Sequence, residues 1–306
     1  MPFGLVACSS NSTSGSSSSS SASVESGSAA AQPAACPTNP VDIVVSVDQW
    51  GDIVSELAGS CGNVKTILAS SSVDPHDYEP SPSDGAAFSG AQLVVVNGVD
   101  YDAWASKLAA TSAPNVPVID AGTVTNTPGG SNPHLWYNPA AVTAVADAVT
   151  AELTKLEPKA GDYFTTQRSN FSTAMKPYDE LLAKIKAGAS GKSYAATESV
   201  FDYQAQALGL VDKTPKGYKT ASATETDPSP ADLAAFTQAL SGGQIDVLIY
   251  NTQTEGAIPE QIRRAAESAG VPVVDITETV PSGQTSFEGW QDAQLTALAK
   301  ALGVAV

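Results

Sequence analysis

From Val41 onward two kinds of apolar pattern alternate along the chain. Short strand-like runs occupy residues 42–47, 64–68, 92–96 and 116–119. They are rich in β-branched residues and too short for helices, so they read as strands. Between them the apolar positions change period. Trp50, Ile53, Val54 and Leu57 recur at helical spacing, and residues 82–88 and 103–110 are two further helix candidates. Strands alternating with helices predict a parallel sheet.

The middle of the chain carries the helical period alone. Val142, Val145, Val149, Leu153 and Leu156 line one face before Pro158 interrupts. Phe164, Phe171, Met175, Tyr178, Leu182 and Ile185 form a second stripe, which reads as core. A helix over 160–187 would be about 42 Å long. Pro177 lacks a backbone N–H, so it should kink or split that helix. The strand–helix alternation then resumes, with strands at 193–196, 246–250 and 271–276 and helices at 201–207, 230–240, 259–269 and 290–302.

Residues 79–88 (EPSPSDGAAF) echo residues 227–236 (DPSPADLAAF). In each, a serine (Ser81, Ser229) can cap a helix whose first residue is proline (Pro82, Pro230). The echo fits two similarly built lobes, and it fits equally two good helix starts.

Composition changes the picture mainly at the N-terminus. Residues 5–8, Leu-Val-Ala-Cys, resemble a bacterial lipobox, in which a signal peptidase cuts before a cysteine that is then acylated. The basic and long apolar regions of a full signal peptide are missing before it. Residues 9–35 are rich in Ser, Ala and Gly with few large apolar groups, so this stretch should be disordered. A flexible chain of that length spans roughly 30 Å, enough for a tether. The expected organisation is a signal remnant (1–8), a tether (9–40), an N-terminal α/β lobe (41–141), linking helices (142–189) and a C-terminal α/β lobe (190–306).

The 306 residues carry a formal net charge of −17 and no basic patch, which argues against nucleic acid as a partner. The three cysteines, Cys8, Cys36 and Cys61, form no C-x-x-C pair, so a thiolate zinc site is not expected. Cys36 and Cys61 lie in the part expected to be exported and flank the first strand–helix unit, so a disulfide is expected between them. There is no Walker A run, no strand–G-x-G-x-x-G–helix and no H-E-x-x-H.

The chain has two histidines, His76 and His134. Each sits in a proline-bounded loop leaving an α/β unit, where such folds bind ligands. Neutral imidazole is the commonest metal ligand among side chains. Spacing alone leaves open two unrelated loop histidines.

The segments 74–80 (DPHDYEP) and 132–139 (NPHLWYNP) resemble the two histidine motifs of the zinc/manganese-type metal-binding lipoproteins, the cluster A-I solute-binding proteins of bacterial ABC importers. The resemblance runs from about Val41 to the C-terminus. It implies an α/β fold of two Rossmann-like lobes with parallel sheets, joined by a long rigid helix, with one metal ion between the lobes. It carries His76 and His134 over as the N-lobe ligands and Glu198 as the third. For the fourth, Glu278 fits the register and Asp275 is its rival. The chain departs from the family at Asn132 and Asn138, where aspartate is frequent, and it lacks a His-rich loop, since residues 123–131 are neutral.

The function so implied is extracytoplasmic capture of Mn²⁺ or Zn²⁺ as transported cargo. Delivery would be to an ABC permease, by a monomer anchored to the bacterial cell membrane through lipidated Cys8. Two carboxylates among four ligands incline the expectation towards Mn²⁺, against the higher intrinsic affinity of Zn²⁺. A metal-dependent hydrolase and an adhesion lipoprotein are the alternatives. A hydrolase would keep a coordination position open for water, whereas four protein ligands argue for carrying.

Overall fold

The computed structural model describes residues 34–69, 75–76, 78–224, 226–254 and 256–306. Cys8, the signal remnant and the tether up to residue 33 lie outside the described residues. Eight strands form two four-stranded sheets. The first comprises β1 (Val41–Val47), β2 (Gly62–Leu68), β3 (Leu93–Val96) and β4 (Val118–Asp120), in the order β2-β1-β3-β4. The second comprises β5 (Ser193–Ala196), β6 (Val211–Asp212), β7 (Val247–Asn251) and β8 (Val273–Ile276), in the order β6-β5-β7-β8. Every pairing is parallel. The central strands β3 and β7 are buried along their whole length, as expected where helices cover both faces.

The two sheets share one winding order, and the sequence echo falls at equivalent places within it. The helix Pro82–Gly90 precedes β3, and Pro230–Ser241 precedes β7. Both open with a capping box, Ser81 with Asp84 and Ser229 with Asp232. The repeated motif therefore marks the same structural step in two similarly built halves.

The helices Pro139–Leu156, Gly161–Ala174 and Lys176–Ala189 lie between the sheets in sequence. The long helix expected over 160–187 is split at Met175, and Pro177 stands in the first turn of the second piece, where no N–H is needed. Phe164, Phe171, Tyr178 and Ile185 are buried as the stripe required, but Leu181 is the buried leucine and Leu182 is only half-buried. These side chains belong to an apolar core that runs continuously from Val45 and Val95 of the first sheet to Ile249 and Val274 of the second. The halves are thus joined by packing as well as by chain.

Residues 34–40 are irregular but fastened. Cys36 and Cys61 form a disulfide with Cα atoms 4.9 Å apart, and the Ser60 hydroxyl donates to the Ala34 carbonyl at 2.8 Å. Among the elements that escaped the sequence pattern are an edge strand and a short helix. The edge strand β6 is only two residues long, and the helix Lys216–Ala223 buries a single large side chain, Tyr218. Among the described residues no helix is long and apolar enough to cross a membrane.

Candidate metal centre

In both sheets the chain order reverses beside the first strand, which leaves a crevice outside the carboxyl ends of the strands. The candidate ligands all come after such ends. His76 comes after β2, His134 after β4, Glu198 after β5 and Glu278 after β8.

His134 is placed by its neighbours in the chain. Leu135, Trp136 and Tyr137 form one turn of 3₁₀ helix and are wholly buried, which anchors the loop. The Asn97 amide, held by the Trp50 indole at 2.9 Å, donates to the Pro133 carbonyl at 3.0 Å. Asn138 caps the next helix, its side-chain oxygen accepting from the N–H groups of Ala140 and Ala141.

Asn132 settles which ring nitrogen faces the crevice. Its amide nitrogen donates to the Ser199 carbonyl at 2.7 Å, and its oxygen accepts from the His134 backbone N–H at 3.0 Å. That same oxygen lies 2.7 Å from Nδ1 of His134. An amide oxygen only accepts, so Nδ1 carries the proton, and in the neutral ring Nε2 keeps its lone pair. Metal-bound histidines are commonly oriented by such a bond from the other ring nitrogen. Asn132 places a bond of that kind on His134.

Nε2 of His134 lies 3.6 Å from Oε1 of Glu278, which belongs to the other half of the molecule. The Tyr101 hydroxyl donates to the same carboxylate oxygen at 2.8 Å, and the Gln49 amide donates to the Tyr101 hydroxyl and to the Glu278 carbonyl. Tyr101 reaches this position through a strained turn. Gly98, Val99 and Asp100 all have positive φ, of 70°, 54° and 63°. Positive φ is unusual for a β-branched valine, and the turn is held by buried Asp102, which accepts the N–H groups of Asn97 and Gly98. On the far side, the Tyr137 hydroxyl donates to the Thr277 carbonyl at 2.6 Å.

Glu198 stands at the start of the loop after β5. Its Oε2 accepts from the Asn251 amide at 2.5 Å. His76 is exposed on its loop, with its ring edge-on to Tyr101 at a centroid distance of 4.9 Å. Among the described residues no three His, Cys, Asp or Glu side chains converge as a ready-made cage for an ion.

Electrostatics nevertheless link the four groups. Burial raises the Glu198 carboxyl, and the charge of Glu278 adds to this, while the Asn251 amide and His134 oppose it. Burial would also raise Glu278, but the neighbouring His134 and His76 imidazoles, when protonated, and the Tyr101 hydroxyl outweigh it, and its carboxyl is held below the ordinary range. Burial first, and Glu278 second, push the Tyr101 hydroxyl well up, so it remains a donor.

Asp275 lies elsewhere. It is on the solvent side of β8, with its side chain half exposed and paired to Arg263 at 2.7 Å. Gln49, Tyr101, Asn251 and Gln253 are the polar groups of the site that the sequence did not single out. Each lies just beyond a strand's carboxyl end or at it, which is the one signal that could have found them.

Known proteins resemble this chain in sequence and in fold. The zinc-binding lipoprotein AdcA of Streptococcus pneumoniae is 22 % identical over 283 residues, covering 84 % of this chain. This chain spans only 55 % of that relative's length. The manganese ABC transporter substrate-binding lipoprotein PsaA of the same species is 23 % identical over 251 residues, covering 76 % of this chain and 77 % of the relative. Among solved structures, the solute-binding protein FpvC of Pseudomonas aeruginosa in complex with Mn²⁺ superposes with a TM-score of 0.71 at 22 % identity, covering 87 % of this chain and 99 % of that one. The family described as zinc-uptake complex component A, periplasmic, matches residues 43–301, so the chain belongs to that family of metal-transport binding components, which are not enzymes.

Proposed function

We propose that this protein captures one divalent transition metal ion, Mn²⁺ or Zn²⁺, between its two halves and delivers it to an ABC permease. His76, His134, Glu198 and Glu278 are the ligands, two from each half. The protein works outside the cytoplasm as a monomer, with Cys8 as its lipid anchor. The observation that carries this reading is the facing pair of His134 Nε2 and Glu278 Oε1, 3.6 Å apart. The lone pair of one and the charge of the other meet across the boundary between the halves. A ligand lone pair and a carboxylate oxygen at that spacing suit a cation placed between them. Four side-chain donors would fill the shell that a catalytic zinc keeps open for water, which favours a carrier over a hydrolase.

The test is elemental analysis of protein purified without added metal, beside His134→Ala and Glu278→Ala variants. One bound Zn²⁺ or Mn²⁺ per chain is expected in the parent and a sub-stoichiometric amount in each variant. Metal-free parent protein that also fails to take up either ion, or variants that retain a full equivalent, would overturn the reading.

A further inference from the structure

We propose that Asn251 and Gln253, at the end of β7, are positioning residues that together set the separation of the two carboxylates Glu198 and Glu278. The inference rests on the reading that those two carboxylates are metal ligands.

Asn251 is 2 % exposed, and both ends of its side-chain amide are engaged. Its backbone N–H donates to the Thr197 hydroxyl at 3.2 Å, its side-chain nitrogen donates to Oε2 of Glu198 at 2.5 Å, and its side-chain oxygen accepts from the Gln253 N–H at 3.1 Å. Gln253 continues the chain of bonds to the second ligand. Its side-chain oxygen accepts from the backbone N–H groups of Glu278 and Thr279 at 2.6 and 2.9 Å, and its nitrogen donates to the Thr279 hydroxyl at 2.7 Å. One three-residue segment therefore grips the loop after β5 through one amide and the loop after β8 through the next.

The chemistry of the grip matters as much as its place. A glutamate has three side-chain torsions, and a metal site tolerates errors of only about 0.5 Å in its ligands. A lysine or arginine would fix a carboxylate more strongly, but it would also cancel the charge that attracts the cation. Among the described residues neither Glu198 nor Glu278 is paired with a lysine or arginine. A neutral amide holds the oxygen in place and leaves its negative charge available.

The experiment is a double-mutant cycle read by competition of a fluorescent chelator for Zn²⁺ and, separately, Mn²⁺. Asn251→Ala should weaken binding about tenfold in the parent and less than twofold in the Glu198→Ala background, because its partner is then gone. Gln253→Ala should lose its effect in the Glu278→Ala background instead. A merely structural role would lower affinity equally in every background, and that result would overturn the inference, as would parental affinity in Asn251→Ala. Should Asn251→Ala fail to fold, Asn251→Ser keeps a polar group too short to reach Glu198 and is held to the same criteria. If Glu198→Ala and Glu278→Ala themselves bind as tightly as the parent, it is the ligand reading that has failed, and the single variants alone reveal it.

Discussion

The Tyr101 hydroxyl and Oε1 of Glu278 are 2.8 Å apart, although 177 positions separate the two residues in the chain. The bond ties a side chain that comes after β3 to one that comes after β8, so it spans the two halves at the candidate centre. A buried hydrogen bond to a charged acceptor contributes roughly 1.5–3 kcal/mol, and its loss leaves the carboxylate free to rotate. Tyr101→Phe should therefore lower both the melting temperature of the metal-free protein and the affinity for Zn²⁺, the latter by about tenfold. Differential scanning calorimetry and chelator competition check the two effects, and parental affinity would remove Tyr101 from the site.

The disulfide between Cys36 and Cys61 closes a loop with a sequence separation of 25. A loop of that size restricts the unfolded chain by about 3 kcal/mol. Replacing both cysteines by alanine should lower the melting temperature by roughly 5–10 °C. Thiol labelling of the denatured, unreduced protein should find neither residue reactive. Reaction at both positions would show that the bridge is absent in solution.

Glu198 and Asp275 should behave differently on truncation. Glu198 is largely buried beside His134 and Glu278, and its removal would leave a three-ligand site. Asp275 is half exposed and bound to Arg263, a kind of pair that contributes about 0–1 kcal/mol. Glu198→Ala should cost well over tenfold in metal affinity, and Asp275→Ala should cost nothing measurable. Isothermal titration with either ion decides it. The reverse outcome would move the fourth ligand to β8 itself.

The contrast between these two acids also shows what the sequence could and could not convey. Strand register alone makes Asp275 and Glu278 neighbours in a short acidic stretch. Only the alternation of β8, with Val274 and Ile276 inward, turns Asp275 out to solvent. The sheets, the capped helices and the break at Pro177 were legible because each rests on local periodicity or on proline chemistry. His76, His134 and Glu198 came forward as candidate ligands through a resemblance, and no local pattern told where in the fold each would lie. Tyr101, Asn251 and Gln253 act through bonds to residues far away in the chain or through a strained turn at Val99, and no local pattern announces such bonds. The edge strand β6 is too short to carry a period at all.

Glu56 and Glu288 face one another where the helix Asp48–Ala58 packs on the helix Phe287–Ala301, again between the two halves. Burial first, then the charge and hydrogen bond of Glu288 and the charge of Asp52, push the Glu56 carboxyl up to about 8. Asp52 and Asp292, on the same two helices, are raised by burial and by Glu288. Asp48, at the start of the first helix, is raised to about 7, mainly by burial. A carboxyl whose value is higher in the folded chain binds more protons there than when unfolded. Its favourable contribution is complete below the unfolded value and is lost as pH rises through the folded one. The window for Glu56 thus runs from about pH 4.5 to about pH 8. The lowered acids, Asp84, Asp246 and Glu278, act in the opposite sense, but only below that window. The protein should therefore melt at a lower temperature at pH 8.5 than at pH 5.5. Glu56→Gln keeps the hydrogen-bonding shape and cannot ionise, so it should reduce that difference by at least ~1 kcal/mol, or about 2–4 °C. Melting curves of parent and variant at both pH values, in chelator to exclude metal, provide the check. An unchanged pH difference in the variant would mean that Glu56 is not held protonated against Glu288.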